Sequence, residues 1–298
     1  MKKTLTTLTL MITLSWSFTS QATAYDEANW YVSIDVQQVR DKIVPLLPHN
    51  EPEQHEFSVA HHLPQEVHQV TLYGHSEAEN DLSMAIKGDF ARFSLNEYLL
   101  GLLYMVDDKE DVSLALFDSE AHGGSVVEHY QISGDNETKS FYSAIINEQT
   151  LVLSFDQQEV KNWIDKKYAS HDLNSSGLVS LLVNIESAMA HMGADLASNQ
   201  KSFNSAVFKK ITQFSASVYE TGDSLTIESA LTTADEATAR QLEQVINGLV
   251  AMNALSNLDQ DKPALNALAS ALQISQQGQD LLITTALPYA LIPEINID

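Results

Sequence analysis

The sequence predicts an α+β protein of two similar halves, each an antiparallel sheet with helices packed on one face, and three observations lead there. The same order of elements, β-α-loop-β-β-α plus closing strands, is readable before and after the polar stretch Ser170 to Gly177. Val70-Thr71-Leu72-Tyr73 and Phe214-Ser215-Ala216-Ser217-Val218-Tyr219, introduced by Gln69 and Gln213, both precede a polar turn, a second strand and a helix. Neighbouring strands are joined by short turns, which is the connection antiparallel pairing allows. The predicted organisation is a leader over 1–24, a first half over 25–169, a linker over 170–177 and a second half over 178–298.

In the first half, Trp30 to Asp35 is a β-rich run, and Asp35 caps a helix with Gln38 at its third position. Val36, Val39, Ile43, Val44 and Leu47 share one helical stripe, which Pro45 and Pro48 bring to an end. His49 to Glu66 is polar and proline-punctuated, a loop. Val67 to Gly74 and the run from Leu82 to Phe90 pair around the turn Ser76 to Asp81. Gly88 then lets the chain turn, Asp89 is placed to cap the next helix and Phe90 to pack beneath it. Ala91 to Val106 carries Phe93, Leu95, Tyr98, Leu99, Leu102, Leu103 and Val106 at helical spacing.

Four strands follow, at Val112 to Phe117, Val126 to Ile132, Phe141 to Ile146 and Thr150 to Phe155, with Gly123-Gly124 and Gly134-Asp135-Asn136 as turns. Asp156 with Glu159 repeats the capping-box pattern ahead of a helix to about Tyr168, with Val160, Trp163 and Ile164 facing inward. In the second half the spacing predicts a strand over Leu178 to Ile185 and a helix over Glu186 to Leu196. A strand pair, Ile211 to Glu220 with Leu225 to Leu231, turns at Thr221-Gly222-Asp223-Ser224. A long helix over Glu236 to Leu255 is capped by Asp235, and Gln273 to Ala286 closes the half.

Composition narrows the setting. Lys2 and Lys3 precede an apolar stretch from Leu5 to Phe18, and Gln21-Ala22-Thr23-Ala24 offers the small residues a signal peptidase needs. That stretch is too short and too rich in Thr and Ser to stay across a bilayer. The expected location is therefore periplasmic or secreted, after cleavage near Ala24. Taking two of the 16 basic residues away with the leader leaves 14 against 40 acids, a charge of −26. Such a field repels phosphate backbones and anionic headgroups, so the reading is no nucleic acid and no membrane insertion after signal cleavage. The chain has no Cys, which removes disulfides, thiol catalysis and Cys-ligated zinc.

Chemistry-bearing patterns are sparse. His49, His55, His61, His62, His68 and His75 cluster beside Glu51, Glu53, Glu56 and Glu66, and imidazole suits Zn or Cu. His55, His61 and His62 are the candidate ligands, although His61 and His62 point to opposite sides of an extended backbone. No H-E-x-x-H occurs, because Phe57, Ser58 and Val59 follow His55-Glu56. Otherwise no cofactor is implied. No G-x-S-x-G elbow or S-x-x-K is present, and Ser125 with His129 is the one local serine-histidine pairing to weigh, on a Gly123-Gly124 turn. With 11 Gly no dinucleotide loop or P-loop can be written. Asp107, Asp108, Glu110 and Asp111 lack the order of a calcium loop. Met189, Met192, Met252 and Leu255, at helical spacing, read as core.

These readings imply an exported protein whose work is binding a protein partner or a small-molecule ligand, without catalysis. Two alternatives stay open at this stage. One is a hydrolase-type enzyme whose site assembles in space. The other is a metal-handling protein that uses the His-rich segment 49–75.

Overall fold

The structure, a computed structural model, describes residues 28–46, 64–74, 81–105, 113–134, 137–166, 177–185, 210–256 and 263–294. Twelve strands form one antiparallel sheet: β1 (Trp30–Asp35), β2 (Val67–Gly74), β3 (Ser83–Gly88), β4 (Ser113–His122), β5 (Ser125–Gly134), β6 (Glu137–Ile146), β7 (Thr150–Ser154), β8 (Val179–Asn184), β9 (Ile211–Thr221), β10 (Ser224–Thr233), β11 (Gln273–Gln277) and β12 (Asp280–Pro288). Their order across the sheet is β11-β12-β10-β9-β8-β1-β2-β3-β7-β6-β5-β4. The helical elements are α1, an α-turn Val36–Gln38 continued by Val39–Ile43 and Val44–Leu46, then α2 (Leu95–Met105), α3 (Gln157–Ile164), α4 (Glu236–Ser256) and α5 (Pro263–Ser270).

The expectation of two halves with separate sheets is overturned by one pairing. β1 lies antiparallel to β8, Trp30 opposite Val183 and Ile34 opposite Val179, so the strands merge into a single sheet. The physical reason is that Trp30-Tyr31-Val32 and Leu181-Leu182-Val183 would otherwise present apolar strand edges with unpaired N–H and C=O groups. α1 adds a second tie. Its Ile43 and Leu46, together with Leu225 and Leu268, pack against the buried pair Leu287 and Ile292 at the far side of that seam, and its Lys42 forms an ion pair with Glu220.

Helices on one face is also corrected. Residues opposite each other in a ladder share a face, and neighbours along a strand do not. Leu151 and Val152 of β7 are both buried, and they belong to different clusters. Val152 lies with Tyr73, Ala85 and Ala144 under Val160 and Trp163 of α3. Leu151 lies with Val67 and Ile86 under Val36 of α1 and Leu95 of α2. The β2, β3, β7 and β6 region is therefore a sheet between two helical layers.

Across the β1–β8 seam only one face is covered by described helices. Leu242 and Ile246 of α4 and Leu268 of α5 pack on Leu231, Leu281, Leu225 and Leu287. Following the register from Tyr73 through Tyr31, Leu182, Ser215 and Ala230 to Leu282 traces the other face. There Ser180, Ser217, Glu228 and Thr284 stand among Tyr31, Leu182, Tyr219 and Leu282, a surface of mixed polar and apolar residues.

Local capping follows the predicted chemistry at some termini and departs from it at others. Asp35 Oδ1 accepts from Gln38 N at 2.8 Å while Gln38 Nε2 reaches back to Asp35 Oδ2 at 2.6 Å. Asp235 Oδ1 accepts from Thr238 N at 2.7 Å. Asp89, expected as a cap, instead closes a turn before α2, and Ser94 Oγ accepts from Glu97 N at 3.3 Å at the true start. Phe90 is buried as expected. At α3 Asp156 accepts from Gln158 N and its own N–H donates to Ser154 Oγ at 3.0 Å, while the Glu159 carboxylate turns into the core. The helix predicted over Glu186 to Leu196 and nearly all of the linker lie outside the described residues. No described helix is long and apolar enough to cross a membrane.

Candidate functional site

A cleft of about 510 Å³ opens between the start of α2, the first residues of β5 and the β6–β7 turn. Sequence places its walls. The Gly123-Gly124 turn, with φ of +54° and +90°, returns the chain as β5 and sets Ser125, Val126 and Glu128 along one side. Phe93, Ser94 and Leu95 form the opposite side where α2 begins, and Ile145 the floor. Asn147 and Glu148 close the end.

The closing turn is conformationally costly. Asn147 and Glu148 have φ of +48° and +60°, the left-handed region that a Glu side chain disfavours by about 1 kcal/mol or more. The surroundings hold it: Phe90 N donates to Glu148 O at 2.8 Å and Gly88 N to Gln149 O at 3.0 Å. Gly88 has no room for a side chain, since a Cβ there would sit 2.1 Å from Glu66 O.

Glu128 is the anchored acid of the cleft. Its Oε2 accepts from Tyr130 Oη at 2.8 Å and from Ser143 Oγ at 3.3 Å. Burial pushes the Tyr130 phenol well above its ordinary range, and the hydrogen bond to the Glu128 carboxylate adds to the shift. The cleft thus combines apolar walls with acceptors at Glu128, Glu148 and Asn147. Among the described residues that line it there is no Lys, Arg or His.

The residues singled out from sequence fall elsewhere. His55, His61 and His62 lie outside the described residues, as do His49, His75 and the acidic run Asp107 to Asp111. His68 is exposed on β2, and among the described residues no three His, Asp or Glu side chains gather as metal ligands. Ser125 and His129 stand four residues apart on β5, about 13 Å at strand rise, and are not brought together. His129 instead stacks on Tyr142, ring centroids 4.6 Å apart, and meets Phe117 edge-on at 5.2 Å, and its buried Nε2 has no partner among the described residues. His122 Nε2 lies 2.8 Å from Asp165 Oδ1. Met252, expected in the core, is 65% exposed.

Sequence reasoning missed a buried polar cluster under α3. Tyr73 Oη donates to Glu159 Oε1 at 2.5 Å and accepts from Trp163 Nε1 at 2.6 Å. The available signal was the placement of Glu159 beside Val160 and four residues before Trp163, on the inward stripe of an amphipathic helix. An acid there needs a partner.

No family model matches this sequence, and no curated protein sequence matches it. Among solved structures the chain is similar to TP0453. Crystal form III gives a TM-score of 0.45 at 9% identity, covering 89% of this chain and 92% of that one. Crystal form IV gives 0.45 at 10% identity, covering 89% and 91%. Crystal form I gives 0.38 at 11% identity, covering 90% and 93%.

Proposed function

We propose that this chain is an exported, non-catalytic binding protein whose cleft beside α2 takes a small ligand with an apolar body and a positively charged end. The observation that carries the reading is the cleft's lining: Phe93, Leu95, Val126 and Ile145 supply apolar contact, and Glu128 and Glu148 supply negative charge. Phe93 offers an aromatic face to a cation. The chain's net charge of −24 draws cations toward such a site and keeps anions away. Pockets of this size accept drug-sized ligands through apolar walls and a few placed polar groups.

The test is calorimetric titration of the chain beginning at Tyr25 with phenethylammonium, compared with phenethyl alcohol as the neutral isostere. The reading expects the cation to bind more tightly, by about tenfold, since a hydrogen bond to a charged group contributes roughly 1.5 kcal/mol or more. Glu128→Gln and Glu148→Gln should each erase most of that preference. Equal binding of alcohol and ammonium would sink the proposal.

A further inference from the structure

The edges of the sheet are unequal. β11 is five residues long, and its Gln276 amide donates to Gly278 O at 2.7 Å and to Glu236 O at 3.3 Å, polar cover typical of a protected edge. β4 is ten residues long, and among the described residues it has a neighbour, β5, on one side only. Most of its residues are exposed. It and β5 carry Leu116, Phe117, Val126 and Ile132 at 43%, 65%, 53% and 40% exposure.

These side chains lie on both faces. Leu116 opposes Tyr130, and Leu114 opposes Ile132, on the α2 side. A register shift between Leu116 and Asp118 puts Phe117 on the other face, against His129. A strand laid along β4 would therefore find apolar contact for both of its alternating side-chain rows, with main-chain hydrogen bonds between them.

Charge selects the occupant. β4 presents Asp118 and Glu120, the latter shared with Lys161 Nζ at 2.8 Å, and β6 adds Glu137. A second copy would bring the same acids and another −24 against them. An extended segment carrying Lys or Arg between β-branched residues meets the opposite sign.

We propose that β4 is a docking strand for an extended basic segment of another protein, which joins the sheet by antiparallel or parallel addition. This surface follows the outer edge of β4 and adjoins the cleft, which shares Val126 and Glu128 of β5 with it, and it stands whether or not the cleft takes a cation.

The test uses the chain from Tyr25 and a labelled ten-residue peptide of alternating Val and Lys, read by fluorescence anisotropy, with hydrogen exchange mapping the contact. Binding is expected, with slowed exchange at Ser113 to Leu116 and weakening at high salt. The Leu116→Lys, Phe117→Lys double substitution should weaken it about tenfold or more while leaving circular dichroism unchanged and lowering the unfolding midpoint only slightly, because both side chains are exposed and Phe117 gives up one edge contact with His129. If that pair fails to fold, Asp118→Lys gives the same comparison through charge alone. Saturating phenethylammonium should not displace the peptide. Equal binding of a Val-Glu peptide, of a backbone N-methylated Val-Lys peptide, or protection confined to the cleft would each overturn the proposal. So would undetectable peptide binding, or association of two chains through β4 in sedimentation.

Discussion

Replacing Tyr73 with Phe tests how much of the fold depends on the polar cluster under α3. Tyr73 is fully buried, and Glu159 and Trp163 are 6% and 3% exposed. The substitution keeps the ring that packs on Trp163 at a centroid distance of 6.4 Å and removes only the hydroxyl. Two hydrogen bonds go with it, one of them to the Glu159 carboxylate. Each hydrogen bond lost to a buried group costs about 1–3 kcal/mol, so the two bonds together set an expected loss of about 2–6 kcal/mol. That is a large share of the roughly 5–15 kcal/mol that stabilises a folded protein. At about 2–4 °C per kcal/mol, a central loss of about 3 kcal/mol lowers Tm by about 6–12 °C. Urea unfolding followed by far-ultraviolet circular dichroism reads the change directly. Glu159→Gln leaves an oxygen to accept from Tyr73, so it should cost less than Tyr73→Phe, and the double substitution should cost less than the sum. A loss below about 1 kcal/mol for Tyr73→Phe would refute the assignment of these groups as mutually dependent.

Other consequences are separately measurable. Gly101 lies inside α2 with nothing within 4 Å of a built Cβ, so Gly101→Ala should raise the unfolding midpoint, by about 0.5–1 kcal/mol. Gly88→Ala forces a Cβ against Glu66 O and should destabilise by about 1–3 kcal/mol in the same assay; a neutral result would show that the β3 end is not as close-packed as described. Burial, reinforced by Glu228 and Glu220 respectively, pushes Tyr219 and Tyr289 up to about 12 from 10.0. Their phenols are favoured neutral in the folded state, so this stabilisation is complete below pH 10 and lost as pH rises through about 12. Stability and tyrosinate absorbance should change together in that window, and Tyr289→Phe should flatten part of the loss. The exported form should begin at Tyr25 by N-terminal mass analysis, and a periplasmic product retaining Met1 would contradict the leader assignment.

What could be read from sequence is what short-range chemistry decides. Trp30–Asp35 and Val67–Gly74 form strands with the expected bounds, and Asp35 and Asp235 cap as expected because partner and donor lie within three residues. At α2 the expected cap was Asp89, but the helix begins only at Leu95 and Ser94 accepts from Glu97 N there, five residues beyond the expected cap. Glu159 fitted a capping box in sequence, yet Tyr73, 86 residues earlier, supplied a stronger partner. The likeness of Val70–Tyr73 to Phe214–Tyr219 has a positional counterpart, since β2 and β9 each sit second from the β1–β8 seam. The seam itself is a pairing between distant segments that no local pattern encodes. The cleft was equally hidden, because Ser94, Glu128 and Glu148 come from three elements that meet only through the sheet order.

The sheet order also explains why both proposed surfaces lie at one end. A third layer requires apolar residues at successive positions along a strand, and β7 supplies them in Leu151 and Val152. Along most of β9 Ser215 and Ser217 alternate with Phe214, Ala216 and Val218, and that side keeps one face of mixed polar and apolar residues without a described helix. α3 is only eight residues long and packs on β5, β6 and β7, leaving β4 at its margin. β4 and the start of β5 retain the apolar composition of a covered strand but lie where the cover ends. Phe117 of β4 and Val126 near the start of β5 are consequently the exposed continuation of the two clusters that Val127 and Tyr130 of β5 close. Lengthening that cover with a docked segment at β4, or filling the adjoining space with a ligand at the cleft, removes the same kind of apolar surface from water, and each is worth about 25 cal/mol for every Å² it buries.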